Sequence, residues 1–115
     1  KMSDGKVGII YCHYDGYFSG VGSVLEKHYL DQDKIEKLIS LGNICALGES
    51  IECPEGHSFI SPVNDHTIAY GRDRGDENQE PYFSDSYEGA RIRFNRGIHF
   101  HYYWNDQEWQ FSRSY

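Results

Sequence analysis

The chain is predicted to be an α+β protein, with a small, mainly antiparallel sheet of three to four strands and two to three helices packed on one face. Three observations predict this. A β-branched and aromatic run lies near the start, two stretches of helical apolar periodicity follow, and two aromatic runs flank a short polar turn near the end. The resulting order is β, α, α, loop, β, α, β, β, within a single domain spanning residues 1–115.

Residues 7–14, Val-Gly-Ile-Ile-Tyr-Cys-His-Tyr, form the first predicted strand, which stops at the turn pair Asp15-Gly16. From Gly20 the apolar positions Val21, Val24, Leu25, His28 and Tyr29 make the stripe of an amphipathic helix, with Ser19 as its candidate cap. Asp33 and Glu36 read as a capping box for a second helix carrying Ile35, Leu38 and Ile39 and ending at Gly42. Residues 43–65 contain Gly48, Pro54, Gly56 and Pro62 without sustained periodicity and are read as loop. Thr67–Tyr70 is a predicted strand running into Gly71–Glu77, a charged turn or surface loop closed by Pro81. Ser84–Arg93 fits a helix with Tyr87, Ala90 and Ile92 or Phe94 inward. Ile98–Trp104 and Trp109–Ser112 then flank Asn105-Asp106-Gln107-Glu108 as a hairpin.

Composition bounds the partners. Leu, Ile, Val and Phe number 25 of 115 residues, enough for a folded core, and aromatic residues reach 16%. A 13.4 kDa chain with 18 aromatic residues can hardly bury all of them in one small core, which predicts a homo-oligomer, most simply a dimer. The net charge of −7 argues against binding of bulk nucleic acid, which needs clustered Lys and Arg. It is compatible with docking on a basic protein, and equally with plain solubility. The odd set Cys12, Cys45 and Cys53, without a CxxC pair, points to a reducing, cytoplasmic compartment. No apolar run or leader pattern suggests a membrane, and Lys1 ahead of Met2 reads as a residue preceding the native start.

Two constellations can carry ligand chemistry. The first is His13-Tyr14-Asp15-Gly16-Tyr17-Phe18-Ser19-Gly20-Val21-Gly22, a strand end, Gly-rich turn and helix start. Free N–H groups there could hold an anion, with Gly20 and Gly22 allowing close approach and His13, Asp15 and Tyr17 orienting it. The same glycines would equally serve a tight strand-to-helix turn, and the Walker lysine is missing. The second is Tyr70-Gly71-Arg72-Asp73-Arg74-Gly75, where arginine forks suit phosphate and Tyr70 can stack on a ring. All five lysines lie at or before Lys37 and all six arginines at or after Arg72. Local pairing of Asp73 and of the arginines with Asp76 or Glu77 is the plainer alternative. Arg91, Arg93 and Arg96 read as solvated charges near a helix end. His57 with Cys53, and His99 with His101, do not complete a zinc set, so no metal or cofactor is expected. Cys12 and His13 point to opposite faces of a strand, no nucleophile motif is present, and no enzyme activity is expected.

The blocks Ile9–Tyr17, Gly20-Val21-Gly22, Leu38–Gly48, His57-Ser58-Phe59 and Thr67–Gly75, in that order, resemble a family of small proteins encoded in phage and prophage genomes. The likeness covers residues 7–75 well and the remainder loosely, with 81–96 departing most. It implies a phage accessory protein acting in the host cytoplasm and implies no mechanism. The leading expectation is a counter-defence protein that captures an anionic nucleotide-type signal, using His13, Asp15, Tyr17, Gly20, Gly22, Tyr70, Arg72, Asp73 and Arg74. The alternative is occlusion of a host defence protein by direct contact through acidic and aromatic surface. A small nucleotide hydrolase or transferase is a third and weaker reading.

Overall fold

A computed structural model describes residues 1–94 and 98–113, the side chains of 92–94 excepted. Arg96 and Gly97, and the side chains of Ile92, Arg93 and Phe94, to which sequence expectations attach, lie outside the described residues.

The fold is α+β, as expected, with strand pairing distributed differently. Strands β1 (Val7–Ile9), β2 (Ile44–Ala46), β3 (Ile68–Ala69), β4 (Tyr82–Ser84), β5 (Phe100–Trp104) and β6 (Trp109–Arg113) form three two-stranded antiparallel ladders, β1-β4, β2-β3 and β5-β6. A single sheet of three to four strands does not form, because most strands are two or three residues long. Among the described residues, isolated parallel bridges add to these ladders, Cys12 with Ile44 and Ser50 with His66. The first strand stops at Ile9, and β2 lies inside the stretch read as loop, too short to show a period.

The first predicted helix begins as one π-helical turn, Phe18–Gly22, which leads into α1 (Ser23–His28). The Gly22 N–H reaches the Tyr17 carbonyl at 3.5 Å, the five-residue spacing of that turn. Ser19 is therefore inside the element and caps nothing. Helix α2 (Gln32–Ser40) is capped by Asp31, which accepts from the Lys34 N–H at 3.1 Å; the Asp33–Glu36 box gives way to this cap two residues earlier. It ends as expected at Gly42, whose φ of +77° and contact with the Gln79 carbonyl leave no room for a Cβ. The charged stretch after β3 is not a loose turn but a short helix, α3 (Tyr70–Arg74), stopped by the left-handed Gly75. Helix α4 (Tyr87–Phe94) starts three residues later than expected, since Tyr82–Ser84 pairs with β1. Ala90 is buried and Tyr87 half-buried, as the inner face requires.

The C-terminal hairpin is the element read best: β5 and β6 pair from Phe100–Arg113 to Trp104–Trp109 around the predicted polar turn. Leu25, Tyr29, Ile35, Leu38, Ile44 and Trp104 form the core. Burying such side chains stabilises by about 1.5–3 kcal/mol each. The polar ends of the buried rings are satisfied. The Tyr29 hydroxyl donates to the Gly48 carbonyl at 2.7 Å, and the Trp104 and Trp109 indoles donate to Gln32 Oε1 and the Tyr29 carbonyl at 2.6 and 2.7 Å.

Candidate functional site

The segment after β1 runs along one edge of β2. His13 and Tyr14 N–H groups donate to the Ile44 and Cys45 carbonyls at 3.1 and 3.0 Å, which leaves the side chains outside. Tyr11, Tyr14, Tyr17 and Phe18 are 43, 54, 49 and 41% exposed. The Tyr11 and Tyr14 rings both pack edge-on against His13, with centroids 6.1 and 4.5 Å away. Asp15 adopts a φ of +57°, so strand alternation does not place it on one face with His13. Its carboxylate instead accepts from the Tyr17 hydroxyl at 3.0 Å.

The anion-binding expectation for this turn meets a physical obstacle. The N–H groups of Gly20 and Val21 already donate to the Tyr17 and Asp15 carbonyls at 3.0 and 2.8 Å. Gly20 is required by packing, since a Cβ there would stand 2.3 Å from the Asp15 carbonyl oxygen. Gly22 lets the hairpin approach, a Cβ meeting the Tyr102 and Phe111 rings at 3.2 and 3.3 Å. A cleft of about 180 Å³ does lie between Tyr14, Asp15, Gly20 and Leu47. That is below the roughly 300 Å³ of typical ligand pockets, and it carries a carboxylate.

The second segment is the anchor of a buried polar hub. The Asp73 side chain is fully buried and accepts from Arg72 Nε at 2.8 Å, Arg72 Nη2 at 3.1 Å, the Ala69 N–H at 2.8 Å and His57 Nε2 at 3.3 Å. Burial alone would raise its pKa, but the guanidinium, the Ala69 amide and His57 together hold it below the usual carboxylate value. His57 is equally enclosed. The Val63 N–H donates to its Nδ1 at 3.0 Å, so in the neutral ring Nε2 carries the proton and donates to Asp73. Arg72 also donates to the Thr67 carbonyl at 2.9 Å and to the Ile51 carbonyl. The hub thus closes the 51–66 loop onto α3, and Arg72 has little left to offer a ligand.

Arg74 takes the plainer alternative read from the sequence. It binds Asp76 through Nε at 2.9 Å and Nη2 at 2.6 Å, with its guanidinium 4.2 Å above the Phe59 ring and 5.2 Å from Tyr70. The half-buried Tyr70 hydroxyl is pushed up to about 12 by burial and by its bond to Cys45. The 13–22 and 70–74 segments lie on opposite edges of β2, since the Tyr70 N–H binds the Asn43 carbonyl and β2 pairs with β3. The Cys12 thiol is pushed up to about 11 by burial, which makes it a poor nucleophile at neutral pH. Among the described residues no group of three or more His, Cys, Asp or Glu side chains is placed to hold a metal ion. None of their helices is long and apolar enough to cross a membrane.

Sequence reading passed over two features. One is the ring surface of Tyr11, Tyr14 and Phe18, signalled by the density of aromatic residues in 11–18. The other is a cavity of about 410 Å³ between the core and the C-terminal hairpin, lined by Ile10, Leu38, Tyr82, Tyr87, His101 and Tyr103 among others. No spacing announces it. A sealed void of that volume would cost on the order of 10 kcal/mol at about 24 cal/mol per Å³, comparable with the whole stability of a small domain. Exposed lining residues, Lys1, Glu80 and Arg91, mark where it meets solvent. No family model, curated protein or solved structure matches the chain.

Proposed function

We propose that this chain is a phage-type accessory protein that acts by direct contact with a host protein, occluding it, without catalysing a reaction. The observation that carries the reading is the exposed rings of Tyr11, Tyr14 and Tyr17, of which Tyr11 and Tyr14 flank His13 on a segment held to β2 by backbone bonds. Rigid tyrosines with few torsions to lose are the side chains that anchor protein interfaces. The surplus of acids over bases suits a basic partner surface and speeds its encounter. The phage context rests on the resemblance of the 7–75 blocks. Capture of an anionic nucleotide-type signal has less support, because the turn amides and the Arg72 fork are already spent inside the protein.

The test is a plaque assay in cells that carry a defence system and express the chain. Restored plating by the wild type, lost in a Tyr14→Ala/Tyr17→Ala double variant that folds by circular dichroism, supports contact. Sedimentation of the same variants separates a host partner from a second copy of this chain, since loss of self-association would assign the surface to a dimer. Calorimetric binding of cyclic or ADP-ribose-type nucleotides by the wild type, abolished by Arg72→Ala, would return the reading to sequestration.

A further inference from the structure

We propose that the cavity under the C-terminal hairpin takes up a short extended peptide segment of another protein, which adds as a strand between the 7–12 segment and β5. The proposal does not rest on the occlusion reading, and its test is separate.

The cavity is lined by an unbroken run on each side, all six residues of Val7–Cys12 and all five of β5. Successive side chains of a strand point to opposite faces, so a cavity against one face would be lined by alternate residues only. Unbroken runs on both sides mean that the cavity lies along the strand edges, where the main chain itself forms the wall.

Both of these edges are open. Strand β1 pairs with β4 and β5 with β6, and among the described residues neither strand has a second partner in its sheet. The odd-numbered residues of the first segment turn their main chain toward β2. The Tyr11 carbonyl accepts from the Ile44 N–H at 2.8 Å, the Tyr11 N–H donates to Asn43 Oδ1 at 3.0 Å, and the His13 N–H donates to the Ile44 carbonyl at 3.1 Å. The main-chain groups of Ile10 and Cys12 therefore point the other way, and they make no hydrogen bond among the described residues. In the hairpin the Asn105 N–H donates to the Glu108 carbonyl at 3.2 Å, which makes Tyr103 and His101 the residues bonded to β6. Phe100, Tyr102 and Trp104 then turn their main chain outward. The Trp104 carbonyl accepts from the Lys1 amino group on that side, while Phe100 and Tyr102 remain open.

Two open edges along one cavity select the occupant. Each presents N–H donors and C=O acceptors in alternation, and an extended peptide offers the complementary row on both of its own edges at the same repeat of about 3.3 Å per residue. A carboxylate or phosphate offers acceptors alone. The five residues of β5 span about 13 Å, a seat for about four residues. Leu25, Ile35 and Leu38 among the walls favour apolar, β-branched side chains, and the exposed Lys1, Glu80 and Arg91 mark the way in.

The probe is acetyl-Val-Thr-Val-Thr amide, titrated into the full chain with backbone amides followed by NMR. The expected result is one saturable site per chain that shifts the amides of Ile10, Cys12, Phe100 and Tyr102 and slows their exchange. N-methylation of the two Val amides removes the donors from one edge of the peptide, and N-methylation of the two Thr amides removes them from the other, so each analogue should bind about tenfold or more weakly. Ile10→Pro takes away an N–H that the fold does not use and should weaken the unmodified peptide to a similar degree; if this variant fails to fold, the methylated peptides decide alone. Absence of saturable binding at millimolar peptide, or shifts that spare both edges, overturns the site. Equal binding of all three peptides overturns strand addition, and a loss with only one analogue overturns seating between two edges. A dimer in sedimentation whose edge amides are already protected without peptide assigns the edges to a second copy and overturns the proposal as well.

Discussion

The two polar segments flanking β2 look alike in sequence and behave oppositely in the fold. Tyr70–Gly75 carries the charges of a ligand loop, yet Arg72 and Asp73 are turned inward and saturated by the Thr67 carbonyl, the Ala69 amide and His57. His13–Phe18 carries fewer charges, and its Tyr14 and Tyr17 rings are about half exposed, while Phe18 packs against the Phe100, Tyr102 and Phe111 rings of the hairpin. Residue type announces what a side chain can bind; burial decides whether the protein itself has already bound it. The buried ion pair is thus evidence for a fixed loop rather than for a site, since desolvation consumes much of its attraction.

The largest effect that distinguishes the segments should come from Asp73→Ala. It leaves the Arg72 guanidinium, the Ala69 amide and His57 without their common acceptor, and removing one partner from a buried pair costs about 3–5 kcal/mol. Urea denaturation followed by circular dichroism measures it. A loss below about 1 kcal/mol would mean that the hub is solvated and open to ligands.

The same carboxylate sets an acid limit. Its folded pKa is depressed, so its contribution is fully present above the unfolded value of about 4 and is lost as pH falls through the lower folded value. The urea midpoint of the wild type should fall below about pH 4 more steeply than that of Asp73→Asn. Parallel pH profiles for the two proteins would contradict the assignment.

Gly20→Ala tests what the glycines of the first segment are for. The added methyl would meet the Asp15 carbonyl oxygen at 2.3 Å, and relieving such overpacking costs about 1–3 kcal/mol. A stable variant with altered ligand binding would instead favour the anion-approach role that GxG spacing suggests.

These cases show where the sequence was legible. The hairpin could be read because β5 and β6 are consecutive, five residues each, and joined by a polar turn, so the pairing is local. Helix α2 could be read because Ile35 and Leu38 recur at the helical period, although Asp31 and Asp33 compete for the cap and only geometry chooses between them. Strands β1 to β4 could not be paired, because two or three residues carry no period and their partners lie 22 to 77 positions away. The inward turn of Arg72 and Asp73 was equally hidden. Its partners His57 and Ile51 come from the far side of a loop without periodicity, and nothing in that loop's composition marks them as acceptors or donors for α3.

Arg74→Ala should affect stability far less than Asp73→Ala, although the two residues are adjacent in sequence. Its side chain is about half exposed, and its bonds run to a single local carboxylate, Asp76, in water where such pairs contribute little. Loss of its stacking on Phe59 should nevertheless loosen the loop locally, seen as faster amide exchange at 58–61 with an unchanged urea midpoint. A midpoint shift as large as that of Asp73→Ala would place Arg74 in the hub.

The smallest effect on stability should belong to the surface on which the functional reading rests. Tyr14 contributes its backbone to the bond with Cys45 and its ring to an edge contact with His13, while more than half of the residue faces solvent. Tyr14→Ser keeps the backbone bond and removes the ring, so stability should change by no more than about 0.5 kcal/mol. A ring that anchors a partner pocket, by contrast, is worth about 2 kcal/mol or more of binding, a thirtyfold loss of affinity or greater. The expected signature is a variant with the wild-type urea midpoint that no longer restores plaques, and the mirror image is an Asp73→Asn protein that melts earlier yet binds while folded. If Tyr14→Ser destabilises as Asp73→Ala does, its ring belongs to the core and the contact surface must be sought elsewhere. If it leaves both stability and plating intact, the exposed rings are ordinary surface and the occlusion reading loses the observation that carries it.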